Sequence, residues 1–498
     1  MSISQEKGET LIRYRVVLVF IACVAALLYL QLSRTGFPAG KLTAESWLTT
    51  PDRKNLMTPQ PVSVFSGTDK YADAVINVDA GRQYQTMEGF GAAVTGSSAY
   101  LIGGKLSASQ REALVDDLFT EDGIRLSYVR HTIGASDFSV DGSGKPSSYT
   151  YDDVPPGETD FELNNFSVRR DARVIGLLRE IVNKNQQIKV LGAPWTAPPW
   201  MKYGETVYNG WYLNYTDERV YRAYADYFVK YIQAYEAAGV PINAITVQNE
   251  PEFTTPDYPS MSMGAEEQAK FIGGYLGPAL ERSGLDTKII AFDHNWDLGE
   301  PYARTVLGER EANKYTEGTA YHCYSGEPDV MTEVHDAFPD KAIYFTECSG
   351  GSWSEDFGNN LSWLMSKLLI GATRNWSETV LLWNLALDPE GGPVNGGCAD
   401  CRGVVTIDPE NGAVTRNAEY YALGHASKFV APGAVRIDSS PAEADIENVA
   451  FRNADGTIVL IAANTGETPR TVKVVWKSRS FAYSLPAHSA VTFRWPGG

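Results

Sequence analysis

At 498 residues the chain exceeds one ordinary domain and has room for a large α/β domain with a smaller partner. Hydrophobic residues at 43% and charged residues at 21% are usual for a globular protein, and a net charge of −18 excludes the basic footprint that nucleic acid demands. Six histidines without HExxH or paired Cys/His spacing argue against a metal hydrolase, and neither metal nor cofactor is expected.

Val16 to Leu30 is an uncharged apolar run preceded by Lys7, Arg13 and Arg15. It reads as an uncleaved signal anchor, with residues 1–33 forming a cytoplasmic tip and membrane segment, or as a cleaved signal peptide. The remaining chain is accordingly expected outside the cytoplasm, membrane-anchored or secreted. Residues 34–70 are rich in Thr, Ser, Pro and charge, lack periodicity, and read as a tether. Within 71–84, the run Ala74 to Val78 reads as a strand joining a later sheet.

From Glu88 onward short strands alternate with amphipathic helices. Strands are expected at 89–94, 124–130, 188–193, 243–249, 288–293, 318–324, 342–347 and 379–384. Helices are expected over 171–183, 218–238 and 361–375. In 218–238, Val220, Tyr224, Tyr227, Phe228, Tyr231 and Tyr235 recur at helical spacing, a core face, and Gly239 supplies the stop. Eight strands alternating with helices across roughly 300 residues fit a (β/α)8 TIM barrel, assigned to 85–415. An open doubly wound sheet is disfavoured because no GxGxxG or GKS/T phosphate loop appears. Beyond about residue 420 the texture is all-β. VAFRNADGTIVLIAAN carries an Asp455-Gly456 turn between alternating apolar runs, and TVKVVW and AVTFRW follow, so 416–498 is assigned to a β-sandwich.

Cys398-Ala-Asp-Cys401 looks like half a zinc site or a redox pair, but no second half is present. In an oxidising compartment a local disulfide or two free thiols fits better. Cys323 and Cys348 each adjoin a strand end, and the sequence leaves their pairing open.

Barrel enzymes hold their chemistry at the C-terminal ends of strands. Glu250 in ITVQNEP and Glu347 in IYFTECSGG each stand at the end of an apolar strand. Two carboxylates delivered to one rim are what glycosidic cleavage needs: one protonates the leaving oxygen, the other attacks the sugar or stabilises its cation. Taken singly, each glutamate also fits a structural ion pair. Asn249 places an amide beside Glu250, suited to a sugar hydroxyl.

The chain resembles glycoside hydrolase family 30, which includes acid β-glucosidase (glucosylceramidase) and microbial β-1,6-glucanases. The resemblance covers roughly residues 85 to 498. Its motifs are GFGAAVTGSSA (89–99), GASDFS (134–139), YTYDD (149–153), APWTAPPWMK (193–202), TVQNEP (246–251), YFTEC (344–348), LWNLALDPEGGP (382–393) and YYALGHASKFV (420–430). It implies Glu250 as acid/base, Glu347 as nucleophile, and retention through a covalent glycosyl-enzyme. Arg130 resembles an arginine that keeps the nucleophile ionised. Trp195, Tyr324 and Trp383 match positions lining a sugar pocket, with His322 beside them. Trp200, Tyr203, Trp211 and Trp353 are candidates for a wider cleft. Retention asks for carboxyls about 5–5.5 Å apart, and the charge of Glu347 is expected to keep Glu250 protonated.

Two departures bear on substrate. Where acid β-glucosidases have Thr-Asp, with the aspartate binding distal glucose hydroxyls, this chain has Thr95-Gly96, and Asp137 is the candidate replacement. A His-Trp-Tyr run is here His322-Cys323-Tyr324. The expected activity is a retaining β-glycosidase of glucosylceramidase type, acting on a carbohydrate or glycolipid. The alternative is an endo-β-1,6-glucanase with the same chemistry, and a non-catalytic carbohydrate-binding protein is the remote third.

Overall fold

The structure, a computed structural model, describes residues 42–67 and 71–498. Eight strands form the barrel: Gly89–Ala93, Tyr128–Ile133, Lys189–Pro194, Ala244–Thr246, Lys288–Asn295, Thr316–His322, Ala342–Glu347 and Thr379–Leu382. The first seven pair in parallel each with the next, and the last, Thr379–Leu382, returns beside the first. Closure runs through Glu378, whose N–H donates to the Ile343 carbonyl at 2.8 Å, and Trp383, whose N–H donates to Cys348 at 2.7 Å. Tyr128, Leu191, Ala244, Ile290, Ala320, Tyr344 and Leu381, one from each strand but the first, fill the interior as a buried cluster.

The second strand begins four residues later than expected. Arg125 takes a left-handed φ of 56°, and the N–H groups of Ile124 and Leu126 donate back to Asp117 and Leu118 at 2.8 Å each. This apolar stretch is therefore spent on packing the preceding helix. Glu218–Ala237 is helical, capped by the Asp217 side chain, and buries the aromatic face anticipated for it. Tyr235 donates to Asp171 at 2.6 Å, and Tyr149 and Tyr151 converge on the same carboxylate, so these rings belong to the core. The helix expected at 361–375 is Phe357–Trp363 running into a π-helix, Leu364–Ala372.

The second domain is one nine-stranded sheet folded on itself. Its order is Thr58–Val64, Thr43–Thr49, Ser489–Pro496, Thr457–Asn464, Ile446–Arg452, Val435–Ser439, Ala74–Thr86, Arg470–Trp476, Arg479–Leu485. The two edges meet: the N–H of Ser66 donates to Ser480 at 2.9 Å, and Phe65 packs edge-on against Phe481 at 4.8 Å. The result is a sandwich with an inserted barrel, and Ala44–Gly498 form one compact unit.

Residues 43–64 are thus two strands of the sandwich and not part of a tether. Ala44, Ser46 and Leu48 alternate inward, but the polar Ser46 among them and Trp47 on the other face mask the pattern, and the pairing strand Ser489–Pro496 lies far away in sequence. Ala74–Thr86 sits inside the sheet, parallel to Arg470–Trp476 and antiparallel to Val435–Ser439. Helix Ala418–Ser427, within the stretch assigned to the sandwich, is buried along its whole length. His425 there touches the hydroxyls of Thr49 at 2.8 Å and Thr492 at 2.9 Å. The apolar run Val16–Leu30 lies outside the described residues. Among those described, no helix is long and apolar enough to cross a membrane.

Candidate active site

Glu250 follows the short strand Ala244–Thr246. Its φ of 44° is a strained left-handed conformation, held by its N–H donating to the Asp293 carbonyl at 2.9 Å. Glu347 ends its strand after a register shift past Phe345. The two side chains converge: a carboxylate oxygen of each, and a ring nitrogen of His322, all lie within 4.8 Å of one another.

Arg130, fully buried within the second strand, organises this cluster. It donates to Glu347, to Asn249 Oδ1 at 2.6 Å and to Asp293 Oδ2 at 2.8 Å. Trp195 and Trp383 flank its guanidinium at 5.1 and 5.6 Å, and stack on one another with centroids 5.1 Å apart. Burial alone would discharge the guanidinium; the charges of Asp293 and Glu347 outweigh it and raise its pKa. Burial likewise pulls His322 down, but Glu347 and Asp293 lift it to about 9. His322 Nε2 meets Asp293 Oδ1 at 3.0 Å, and Nδ1 meets Glu250 Oε1 at 3.1 Å.

The two glutamates therefore sit in different surroundings. Burial pushes Glu347 above its ordinary value against the opposing charges of His322 and Arg130, and the Tyr324 hydroxyl donates to it at 2.9 Å. The guanidinium and the phenol both donate to Glu347, bonds that favour its charged form. Burial also pushes Glu250 up, but its hydrogen bond to His322, then the charges of His322, His294 and Arg130, bring it below its ordinary value. The charge of Glu347 is thus not the main control on Glu250. The hydrogen bond of Glu250 to His322 is the largest of the influences that lower it.

A cavity of about 330 Å³ opens over this cluster. Trp195, Trp383 and Asn249 line its depth, and Phe253 with Tyr258 forms a wall on the loop after Glu250. Trp353 stands on the loop after Glu347, and the Cys398–Cys401 disulfide closes another side. The second disulfide, Cys323–Cys348, ties the strand ends that carry His322, Tyr324 and Glu347.

Asp137 reaches the cavity from the loop after the second barrel strand, nine-tenths buried, with Oδ1 lacking any hydrogen-bond partner. Burial first, then the charges of Glu347 and Glu250, push its pKa well up. Gly96 supports the same loop from beneath. A Cβ there would lie 3.1 Å from Ser139 Cα and 3.2 Å from the Phe138 carbonyl. A side chain at 96 and this seat for the Asp137 loop compete for one space.

Glu250, Glu347, Asn249, Trp195, Tyr324, Trp383, Trp353 and Asp137 line the cavity, and Arg130 and His322 stand directly behind it. Arg130, expected to keep the nucleophile ionised, donates to Glu347, whereas His322, expected to line the sugar pocket, is fully buried behind the cavity wall and contacts Glu250 instead. Trp200 is buried against Phe161 with its N–H on Asp152 at 2.9 Å, away from the cavity, and Tyr203 and Trp211 lie on an exposed outer loop. Asp293, His294, Phe253 and Tyr258 were not anticipated. Asp293 had a signal, since it closes the apolar run KIIAFD as Glu347 closes its own strand.

The sequence model of the glycosyl hydrolase family 30 TIM-barrel domain matches residues 87–430, and that of the glycosyl hydrolase family 30 beta sandwich domain matches 433–493. The chain belongs to glycoside hydrolase family 30. An endo-1,6-beta-D-glucanase of Aspergillus fumigatus is 37% identical over 83% of this family 30 chain and 85% of its own. The lysosomal acid glucosylceramidase of Mus musculus is 30% identical over 83% and 82%. A solved endo-β1,6-glucanase superposes with a TM-score of 0.82 at 35% identity, covering 92% of this chain and all of its own. The family 30 member described here is thus a glycoside hydrolase, and a carbohydrate substrate suits the aromatic cavity.

Proposed function

We propose that this family 30 hydrolase is an endo-β-1,6-glucanase acting with retention, Glu347 as nucleophile and Glu250 as acid/base. The observation carrying the mechanism is the approach of one oxygen of each carboxylate to within 4.8 Å, close to the spacing of about 5–5.5 Å in retaining glycosidases and well short of the spacing of about 6.5–9.5 Å in inverting ones. The linkage rests on endo-1,6-glucanase relatives at 35–37% identity against 30% for the mouse glucosylceramidase, and on Gly96. The glucosylceramidase reading is the weaker of the two.

In the first step Glu347 attacks the anomeric carbon, the glycosidic C–O bond breaks, and the departing 6-oxygen takes a proton from Glu250. Hydrogen bonds from Arg130 and Tyr324 hold Glu347 ionised and aimed. The His322–Glu250 contact supplies the acid proton, so His322 acts through Glu250 as a positioning residue. Asn249 has its Oδ1 fixed by Arg130, which leaves its Nδ2 to donate to the sugar 2-hydroxyl. In the second step Glu250 takes a proton from water, which attacks the glycosyl-enzyme and releases Glu347. The same proposal puts the catalytic body outside the cytoplasm. Two disulfides suit an oxidising compartment, and the run Val16–Leu30 would supply export and, if uncleaved, an anchor.

Digestion of linear β-1,6-glucan, followed by oligosaccharide chromatography, tests the reading. A ladder of oligomers from internal cuts is expected early, with little free glucose. Exclusive release of glucose, or faster turnover of glucosylceramide than of the glucan, would overturn it.

A further inference from the structure

Beyond the cavity, the loop after the third barrel strand carries Tyr203, Trp211, Tyr212 and Tyr215, exposed to between 39% and 56%. The tyrosine rings pack together, with centroids 5.2 Å apart for Tyr203–Tyr212, 5.4 Å for Tyr203–Tyr215 and 6.0 Å for Tyr212–Tyr215. Large aromatic surface left in water needs a reason. No isolated ring explains this patch, because the loop is built to hold it still. The N–H of Tyr203 donates to the Tyr212 carbonyl at 3.1 Å and that of Asn214 to Met201 at 2.9 Å. Beneath them the buried Lys202 ammonium donates to Thr196 and Ser260.

The patch is also joined to the cavity. The N–H of Asn209 donates to Thr255 at 2.8 Å, that of Ser260 to Val207 at 2.9 Å, and that of Ser262 to Gly210 at 2.7 Å. Gly210, with φ 64°, lies so close that a Cβ there would be 2.1 Å from Thr254 Cγ2. The outer loop is thereby laced to the 251–263 loop, whose Phe253 and Tyr258 form the cavity wall. Most exposed aromatics among the described residues lie on this one rim of the barrel.

We infer that the Tyr203–Tyr215 loop is a second glucan-binding platform, outside the catalytic cavity and continuous with it along the 251–263 loop. Pyranose rings offer apolar C–H faces to aromatic rings, while their hydroxyls meet tyrosine hydroxyls and the polar Asn214 and Thr216 nearby. A preformed aromatic surface loses little entropy on capturing a flexible chain. A polymer gripped there and in the cavity gains avidity that a short oligosaccharide does not. The inference rests on the glucanase reading for the polymer's identity, but not for the platform's existence.

The test uses full-length protein carrying Glu347→Gln, so that bound polymer is not consumed, with and without Trp211→Ala, Tyr212→Ala and Tyr215→Ala together. Binding is measured by affinity electrophoresis in β-1,6-glucan, β-1,3-glucan, β-1,4-glucan and xylan. The platform variant is expected to lose about tenfold or more in affinity for the polymer that the parent retains. Against active enzyme, the same three changes should alter turnover of a short oligosaccharide less than about twofold. Tyr215→Ala alone, the most exposed ring, should give a smaller loss in the same direction and covers a triple variant that fails to fold. Undiminished polymer binding by the variants, retardation of the parent by none of the polymers, or a changed oligomeric state in the triple variant would each overturn the platform. Retention of a polymer other than β-1,6-glucan, lost in the variant, would uphold the platform and reject the linkage.

Discussion

Replacing Asp137 separates substrate binding from stability more cleanly than any other change in the cavity. Its carboxyl is buried and one oxygen has no partner, so in the empty enzyme it contributes a desolvation cost with no compensating bond at that oxygen. A sugar hydroxyl arriving there would satisfy it. A hydrogen bond to a neutral group is worth about 0.5–1.5 kcal/mol net, so Asp137→Ala should lower kcat/KM on β-1,6-glucan oligomers about 2- to 13-fold. Burial and the charges of Glu347 and Glu250 push the Asp137 pKa well up, which favours its neutral form, so Asp137→Asn should lose less than Asp137→Ala. Urea unfolding of either variant should show stability equal to or above that of the parent, since an unsatisfied buried group has been removed. The assay pairs initial rates on defined oligomers with unfolding midpoints by tryptophan fluorescence. Unchanged kcat/KM with a marked loss of stability would refute the argument, because Asp137 would then be holding its loop and not the sugar.

For the acid/base, Glu250→Ala should be rescued by azide on an aryl β-glucoside with a good leaving group, and NMR should identify a β-glycosyl azide; an α-product would mean single displacement. Burial depresses His425 to about 3 from an ordinary 6.5, so the stability it contributes is full above pH 6.5 and is lost as pH falls toward 3. Between pH 7 and pH 5 that single group should take away about 2 kcal/mol, from 1.5 pH units at 1.36 kcal/mol each. His425→Gln, which keeps amide contacts for Thr49 and Thr492, should therefore show a pH 7 to pH 5 decline smaller than the parent's by that amount in urea titrations. Parallel declines would show that His425 is not titrating in this range.

The barrel and the two glutamates were legible because their signals are local. Each barrel strand is a short apolar run ended by a turn, and Glu250 and Glu347 stand where such runs stop. What escaped depends on partners distant in sequence. Thr43–Thr49 looks polar until Ser489–Pro496 is laid beside it, and Ile124–Leu126 looks like a strand until its N–H groups are seen returning to Asp117 and Leu118. The control of Glu250 by His322 was likewise invisible, since it depends on one ring nitrogen facing Asp293 and the other facing Glu250. Residue type and spacing do not encode that orientation.

The nine-stranded sheet has a consequence for biosynthesis. Thr43–Thr49 and Ala74–Thr86 are translated before the barrel, yet their partners, Ser489–Pro496 on one side and Val435–Ser439 with Arg470–Trp476 on the other, are translated after it. At about 5–20 residues per second, those leading strands wait tens of seconds with open edges while the entire barrel is made between them. Nascent chains are thus most vulnerable to aggregation during elongation, and loss of the final strand would strand the N-terminal ones permanently.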